Sequence, residues 1–413
     1  MQKINIFFIT AAMILTLCIQ QLHSQEINNH EIKTIEITGL TRTKPHIARY
    51  PLEVFLGRDG SALDLNEVEA VIRGTGVLEP KEIELVEYED GMILHIIVEE
   101  KWSIFPFPMF MAVSGERIMG LYLVDTNFLG ILDQAAIGGM YGTAGWSIMA
   151  FYNHTPNKRG VPGWNSFFSY NRSSIEDTDR YSTVHRRYSS DQLRFSFGLQ
   201  YALTHYLSAG ASVSYTNVTL NDISNAVAPP DKGAMLIGFS PNISLRSGSW
   251  DGVFLSQQSV SLTYSYNHAV SGSPYHQAGI RAVYEQSIVR GLRLCIRSGL
   301  SWNTTSSPLF EDSPSSANVD ILPRGFAALK YAGLSAGLEK HLFTMRWGTL
   351  SISGSWQAVI SEGSISDFAF DHGPYGAVRF YLSRVALPAM GLGMAYNMNT
   401  RKTQFGFSIG MSL

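Results

Sequence analysis

One serine of this chain has the neighbours of a catalytic nucleophile. Residues 333–337 read Gly-Leu-Ser-Ala-Gly and match the G-x-S-x-G pattern, in which a sharp turn between a strand and a helix exposes a serine for acyl transfer. Here the motif lies within an alternation of apolar and polar residues, which predicts a strand with Ser335 on its polar face. The sequence has no H-E-x-x-H motif and no phosphate-binding P-loop. We therefore predict a protein that is not an enzyme and that holds no cofactor and no metal.

The end of the chain alternates in the same way. Successive side chains of a strand point to opposite faces, so this period predicts a closing strand with one apolar face. Such a strand would be an exposed edge in a soluble protein, but in a barrel that spans a bilayer it pairs with the first strand and the edge disappears. The apolar residues of this predicted strand are Phe405, Phe407, Ile409, Met411 and Leu413.

The alternation recurs upstream, in residues 193–201, 259–266, 292–302, 350–360 and 390–397. One face of each segment suits lipid. The other is small and polar with an occasional arginine, as a water-filled lumen requires. A soluble sandwich or barrel is the alternative, in which the apolar face lines a core. The number of long segments and the amino-terminal leader favour the membrane.

Length and composition agree with a membrane barrel. The 413 residues include 31 basic and 34 acidic side chains, so nothing suggests a nucleic-acid partner. Charged residues make up 16% and aromatic residues 12%, and a low charge with many aromatic residues is typical of a transmembrane barrel. At about 20 residues for each strand with its connection, residues 101–413 hold roughly 16 antiparallel strands.

The amino terminus resembles a secretory signal peptide over residues 1–24. Lys3 precedes an apolar run from Ile4 to Ile19, and polar residues follow up to a plausible cleavage after Ser24. An uncleaved membrane anchor is one alternative, although the run is short for a spanning helix. A lipoprotein signal at Cys18 is another. After cleavage Cys295 is the one remaining cysteine, which excludes an internal disulfide.

Residues 25–100 differ from the rest and predict a small α+β domain. A strand ends at Gly39, a helix runs from about Lys44 to Leu56, and Asp64 begins a second helix. A hairpin then turns around Asp90-Gly91. This order of strand, helix, helix, strand and strand resembles a POTRA (polypeptide-transport-associated) domain.

That resemblance implies a place for a client protein. In POTRA domains a strand of the hairpin lies at the sheet edge and can accept an extended segment by β-augmentation. Within the hairpin of residues 81–98, the client-binding edge would include Glu84 and Val86. The alternative is an inert spacer or plug domain.

Residues 101–108 form the predicted junction with the barrel. Pro106 and Pro108 break regular structure, so the first barrel strand is expected at about Met109 to Ser114. This strand and the last one would form a weak seam, since Gly406 and Gly410 reduce packing there.

A loop motif links the barrel to a known family. Arg324, Gly325 and Phe326 stand some four strands before the end, and this resembles the hallmark loop of the outer-membrane assembly superfamily that includes BamA, TamA and the two-partner secretion transporters. In this family the loop folds into the lumen, and its arginine contacts acidic or polar groups on the inner wall. Glu339, on the strand that follows, matches the inward acidic residue. Pro323 stands where the family usually has valine.

The resemblance implies a function in the bacterial outer membrane, with the α+β domain in the periplasm. The protein would assist insertion or translocation of other proteins there. Its partners would be outer-membrane lipids, unfolded outer-membrane or secreted client proteins, and periplasmic or lipoprotein accessory factors. The alternative is a passive channel or structural surface antigen, in which the loop is only a plug.

Overall fold

The computed structural model describes residues 30–88, 91–113, 116–154, 161–204, 206–224, 233–251, 254–346, 348–382 and 390–409. The predicted signal peptide, the Asp90 position of the hairpin turn, and Met411 and Leu413 of the predicted closing strand lie outside these residues.

The chain begins with a three-stranded α+β domain in the predicted order of elements. The second helix starts where predicted, because the Asp64 side chain accepts a hydrogen bond from the backbone N–H of Asn66 at 2.9 Å. Strand β1 pairs in parallel with β3, and β2 pairs antiparallel with β3 at the sheet edge. The elements are β1 (Ile32–Thr38), α1 (Pro45–Arg49), 3-10 helices at Tyr50–Phe55 and Gly60–Ala62, α2 (Leu65–Gly74), β2 (Leu78–Tyr88) and β3 (Gly91–Glu100).

One hydrophobic core holds the domain together. Phe55 from the first 3-10 helix and Val68 from α2 are fully buried against Leu94 and Ile96 of β3. None of the helices in the described ranges is both long and apolar enough to cross a membrane.

Sixteen antiparallel strands close into a barrel, which confirms the predicted fold class and strand number. They are β4 (Ile104–Val113), β5 (Glu116–Phe128), β6 (Asp133–Gly142), β7 (Gly145–His154), β8 (Gly163–Thr178), β9 (Val184–Ala202), β10 (Leu207–Ser224), β11 (Gly233–Asp251), β12 (Phe254–Ser271), β13 (Tyr275–Val289), β14 (Leu292–Asn303), β15 (Lys330–Met345), β16 (Gly348–Glu362), β17 (Ala369–Leu382), β18 (Met390–Asn397) and β19 (Lys402–Ile409).

The outer surface of the barrel is apolar. Ile243, Leu262 and Ile352 expose 50%, 48% and 46% of their surface, and many outward leucine, phenylalanine and tyrosine residues do the same. A soluble protein does not leave so wide an apolar belt in water. The alternation therefore places lipid outside and polar side chains in the lumen, and the chain forms a transmembrane barrel.

The first barrel strand begins earlier than predicted. Strand β4 starts at Ile104, and Pro106 and Pro108 lie inside it, opposite Leu123 and Leu121 of β5. Alternate residues direct their N–H groups to the same edge of a strand. Both prolines therefore lack donors on one edge, and the other edge remains free to pair fully with β5. The predicted break at the two prolines was wrong because it ignored this edge preference.

The two ends of the barrel differ. We call the end that carries the α+β domain the domain end and the opposite one the far end. Strand β4 leaves the domain end, so with sixteen alternating strands β19 runs back towards it. The connection 304–329 between β14 and β15 therefore starts and finishes at the far end.

An ion pair and a backbone hydrogen bond join the α+β domain to the domain end of the barrel. The Arg42 guanidinium donates to both carboxylate oxygens of Asp125, at 3.2 and 2.7 Å. The backbone N–H of Lys44 donates to the carbonyl of Gly130 at 2.9 Å. A Cβ at Gly130 would lie 2.2 Å from the Arg42 carbonyl oxygen, and Gly130 has a φ of +71°, so this close approach requires glycine.

Glu100 completes the contact from the end of β3. Its carboxylate accepts from the Thr41 hydroxyl at 2.7 Å and from the backbone N–H groups of Arg42 and Thr43 at 2.9 and 2.7 Å. Partial burial raises the pKa of Glu100, but these hydrogen bonds outweigh it and leave the pKa below its ordinary value. The charged form of Glu100 thus fixes residues 41–43 at neutral pH, and this stabilisation is lost as pH falls through the lowered pKa.

Candidate functional site

The connection 304–329 is folded into the barrel and packs on its inner wall. Short 3-10 helices at Pro308–Phe310 and Pro314–Ala317 give the loop a defined shape. Its buried apolar residues contact inward side chains of β15 to β18, so the loop occupies one side of the lumen. The loop residues are Ala317, Val319, Ile321, Leu322, Phe326 and Ala328, and the wall residues are Tyr331, Val359, Tyr375, Ala377 and Ala395.

The Arg-Gly-Phe motif sits at the point where this loop meets the opposite wall. Phe326 is 2% exposed and belongs to the loop core. The Gly325 carbonyl accepts a hydrogen bond from the backbone N–H of Thr178, the last residue of β8, at 3.0 Å. A Cβ at Gly325 would lie 2.2 Å from the Glu176 carbonyl oxygen, so only glycine permits this contact. The loop thereby bridges the lumen at the far end.

Arg324 has a different environment from its two neighbours. It is exposed and lines a cavity of about 200 Å³ between the loop and the closing strands. Gly393 of β18 and Gln404 and Gly406 of β19 line the same cavity. The arginine of the motif therefore faces the inner side of the strand that closes the barrel.

Glu339 lies at the centre of a buried cluster on the inner wall. Its side chain is fully buried, and Oε2 accepts from Arg293 at 2.7 Å and from Arg379 at 3.2 Å. Oε1 accepts from the Ser351 hydroxyl at 2.5 Å and from the Tyr381 hydroxyl at 2.8 Å. Four partners on three strands, β14, β16 and β17, thus satisfy both oxygens of one carboxylate.

A second carboxylate extends the cluster to β13. Glu285 accepts from Arg293 at 3.0 Å and from Arg297 at 2.5 Å. The guanidinium carbon of Arg293 also lies 4.6 Å from the centre of the Phe254 ring, which adds a cation–π contact from β12. We call Glu285, Arg293, Arg297, Glu339 and Arg379 the inner-wall charge network. It joins β13, β14, β15 and β17 through three guanidinium and two carboxylate groups.

We expected Arg324 to pair with Glu339 or with a neighbouring acid of the inner wall, and the pairing with Glu339 was wrong. In the described part of the chain, the guanidinium groups that contact Glu339 belong to Arg293 and Arg379 and not to Arg324. The motif is held at the far end, whereas Glu339 lies nine residues along β15, roughly 30 Å from the start of that strand. Arg293 on the adjacent strand β14 and Arg379 on β17 reach the acid directly, so the loop is not needed to neutralise it.

The three arginines of the network were not predicted from the sequence, although their positions on the strands indicate them. Arg293 and Arg297 stand at inward positions of β14, and Arg379 stands at an inward position of β17. Charged side chains facing inward near a buried acid need partners. A search for inward charged residues on the strands next to β15 would have paired Glu339 with Arg293, which lies directly opposite it in the ladder.

The closing seam is short among the described residues. Strands β4 and β19 pair over four positions, from Gly406 and Val113 to Ile409 and Phe110. By contrast, β10 and β11 pair without interruption from Leu207 and Leu245 to Thr219 and Gly233.

Phe405 and Phe407 of the predicted closing strand are incompletely buried. Phe405 exposes 59% of its surface, and the Phe407 ring lies 6.0 Å from that of Phe110 across the seam. On the β4 side, Pro106 and Pro108 have no backbone N–H to donate to a partner strand at the positions nearer the domain end. Among the described residues, the seam is the shortest strand pairing of the barrel.

The proposed client-binding residues lie on an open sheet edge. Strand β2 has β3 on one side, and within the described ranges no further strand pairs with its other side. Glu84 is exposed, and Val86 exposes 45% of its surface. Pro80 is accommodated at an irregularity between Pro80 and Glu82, where an edge strand can tolerate the missing donor.

The serine of the G-x-S-x-G match lies within β15. The Ser335 hydroxyl donates to the Ser355 hydroxyl at 3.3 Å, and residues 333–337 pair continuously with β14 and β16. A nucleophile elbow requires a turn at this point, and the strand does not turn.

Comparisons with known proteins support the architecture. No protein-family model matches the sequence, and no curated protein matches it either. Among solved structures, CdiB from Escherichia coli matches with a TM-score of 0.63 at 11% identity, over 92% of this chain and 76% of that one. CdiB from Acinetobacter baumannii gives 0.62 at 10% identity, over 92% and 74%. BamA from Haemophilus ducreyi lacking POTRA domains 1–3 gives 0.56 at 11% identity, over 92% and 85%. The chain shares the fold of these proteins.

Proposed function

We propose that this protein belongs to the BamA and TamA type and assists the insertion or translocation of other proteins at the bacterial outer membrane. The observation that carries the proposal is the seam between β4 and β19. A barrel built only to be a stable wall gains from continuous pairing, whereas β4 carries two prolines whose missing N–H groups belong to the edge that faces β19. The likeness to BamA and CdiB supports the same proposal.

The seam would act as a template for a client strand. When β4 and β19 separate, they expose backbone N–H and C=O groups inside a membrane, where unpaired groups are costly. An extended client segment can satisfy those groups by pairing with either strand. The client strand would then leave into lipid together with its own partners.

The inner-wall charge network would hold the rest of the barrel while the seam opens. It ties β13, β14, β15 and β17 together through Arg293, Glu339 and Arg379, which lie away from β4. The loop 304–329 adds apolar packing on β15 to β18. Opening would therefore be confined to the seam.

The domain arrangement that follows has residues 1–24 as a signal peptide, 25–100 as a periplasmic POTRA-like domain and 101–413 as the barrel. Because Arg42 of the domain pairs with Asp125 near the end of β5, a client bound to the domain is held at the domain end of the barrel. Outer-membrane lipids surround the barrel, unfolded outer-membrane or secreted proteins are the clients, and periplasmic or lipoprotein accessory factors are further partners.

Depletion of the protein tests this function. We expect a survey of the outer-membrane proteome to show loss of a defined set of barrel proteins or exported proteins. An unchanged proteome together with reduced solute permeability would contradict the proposal and support a passive channel. A surface antigen would leave both properties unchanged.

The edge strand β2 gives a second prediction. A photo-crosslinking amino acid placed at Glu84 or Val86 should capture unfolded outer-membrane protein segments, because the exposed edge offers unpaired backbone groups in a fixed register. The full-length protein in detergent is mixed with radiolabelled segments, illuminated and separated on a gel. The same amino acid at Glu53, exposed on the 3-10 helix 50–55, is the control and should give only background.

A replacement at Glu36 on β1 distinguishes the two edges of the sheet. Strand β1 is the other edge, and Glu36 is exposed there. Capture at Glu36 without capture at Glu84 and Val86 would show that the client binds to β1 and not to β2, which would contradict the proposal. Equal capture at all four positions would indicate unspecific adhesion and would also contradict it.

A further inference from the structure

The lumen contains a second cavity, which is polar and has no part in the function proposed above. It has a volume of about 400 Å³ and lies between the start of the loop and the inner wall of β12 to β14. Ser261, Thr263, Gln277 and Arg281 line it from the wall, and Asp312 lines it from the loop. A volume of this size is in the range of small-molecule sites.

Small residues beside Arg281 create the space. In the sheet ladder, Arg281 lies opposite Ser261 on one side and Gly299 on the other. Gly279, two residues earlier on the same face, lies opposite Thr263 and Ser301. Small residues therefore flank Arg281 in both neighbouring strands, and Tyr331 and several hydroxyl groups line the rest of the cavity.

The charge of Arg281 is not neutralised by the wall. Arg281 is exposed, and among the residues that the structure describes no acidic group forms an ion pair with it. The nearby carboxylate of Asp312 is already engaged, because Oδ2 accepts from Gln277 at 2.6 Å and from the Ser301 hydroxyl at 2.5 Å. Arg281 thus differs from the arginines of the inner-wall charge network, each of which contacts a carboxylate.

We propose that this cavity binds a phosphorylated sugar. The planar guanidinium of Arg281 presents donors that match two phosphate oxygens. The hydroxyl groups of Ser261 and Thr263 can exchange hydrogen bonds with the hydroxyls of a sugar ring. The Asp312 carboxylate, held in place by Gln277 and Ser301, supplies an acceptor on the loop side of the cavity.

The test uses the full-length protein in detergent and calorimetric titration with glucose 6-phosphate. We expect measurable binding that the Arg281→Gln variant weakens about tenfold or more, which is the size of one charged hydrogen-bonding partner. Arg246→Gln is the matched control. Arg246 is also exposed, lies opposite Ser259 and is not part of the cavity, so its loss should leave the affinity within about twofold. Heat-modifiable gel mobility verifies that each variant is folded.

Three further titrations decide the chemistry. Glucose should bind at least about tenfold more weakly than glucose 6-phosphate, because it lacks the anion. Inorganic phosphate binding as tightly as glucose 6-phosphate would overturn the sugar part of the proposal. Displacement by a phosphorylated glycolipid in micelles would support the proposal and identify a lipid headgroup as the source of the sugar phosphate, whereas displacement only by soluble sugar phosphates would support it with a free ligand. Absence of binding to the folded wild-type protein, or equal binding by Arg281→Gln, would overturn it.

Discussion

The variant Glu339→Gln is expected to destabilise the barrel by ~3–5 kcal/mol, the usual result of removing one partner from a buried ion pair. The amide has the shape of the carboxylate but carries no charge, so the effect isolates electrostatics from packing. Arg379 loses the carboxylate that binds it at 3.2 Å, and Arg293 retains only Glu285. Two buried guanidinium groups are then left without full compensation. The change is measured as a shift of the urea unfolding midpoint of the barrel, followed by heat-modifiable mobility.

The matched control is Glu362→Gln on β16. Glu362 pairs with Lys330 at 3.2 Å, but the two side chains are 45% and 49% exposed, so this pair is worth less than about 1 kcal/mol. Adding Arg379→Gln to Glu339→Gln should recover part of the lost stability, because it removes one uncompensated charge. Equal unfolding midpoints for Glu339→Gln and Glu362→Gln would show that water screens the inner-wall charge network and that the network contributes little to the free energy of unfolding.

The strands of the barrel could be predicted from the sequence because each strand has one face towards lipid and one towards the lumen, and its residues alternate accordingly. An inward polar residue and an outward apolar residue alternate within a single segment, so no knowledge of the partner strand is needed. The same holds for α2, whose start depends on Asp64 and the next few residues. Local patterns therefore gave the element types and the strand number.

The partners of Glu339 could not be predicted in this way. Which inward residue meets it depends on ladder register and on the depth to which the loop enters the lumen, and both are properties of the closed barrel. Register places Arg293 directly opposite Glu339, while the contact between Gly325 and Thr178 holds the motif at the far end. The motif resemblance identified the two residues but not the distance between them.

The first strand illustrates a second limit. A proline argues against a central strand, and two of them led to a predicted start at about Met109. Spacing by two residues changes the argument, because both missing N–H groups then belong to one edge. A strand beside a weak seam can carry such prolines at little cost, so Pro106 and Pro108 indicate which edge of β4 is poorly paired.

A disulfide between β4 and β19 should abolish the proposed assembly of client proteins. Ala112 and Phe407 are opposite each other across the seam, so Ala112→Cys with Phe407→Cys, in a Cys295→Ser background, allows a disulfide to join β4 and β19. If the seam must open to accept a client strand, oxidation should reduce client assembly to the level of depleted cells, and a reductant should restore it. The readout is the outer-membrane proteome of cells that depend on the variant.

The control lock joins two strands that have no reason to separate. Val213 and Phe239 are opposite each other in the long β10–β11 ladder, and Val213→Cys with Phe239→Cys in the same background tests the effect of a disulfide as such. This variant should assemble clients normally in its oxidised form. Full activity of the oxidised seam lock would show that clients do not pass between β4 and β19, and loss of activity in both locks would show only that crosslinks harm the barrel. Loss in the seam lock alone, reversed by reduction, requires that β4 and β19 separate when the protein assembles a client.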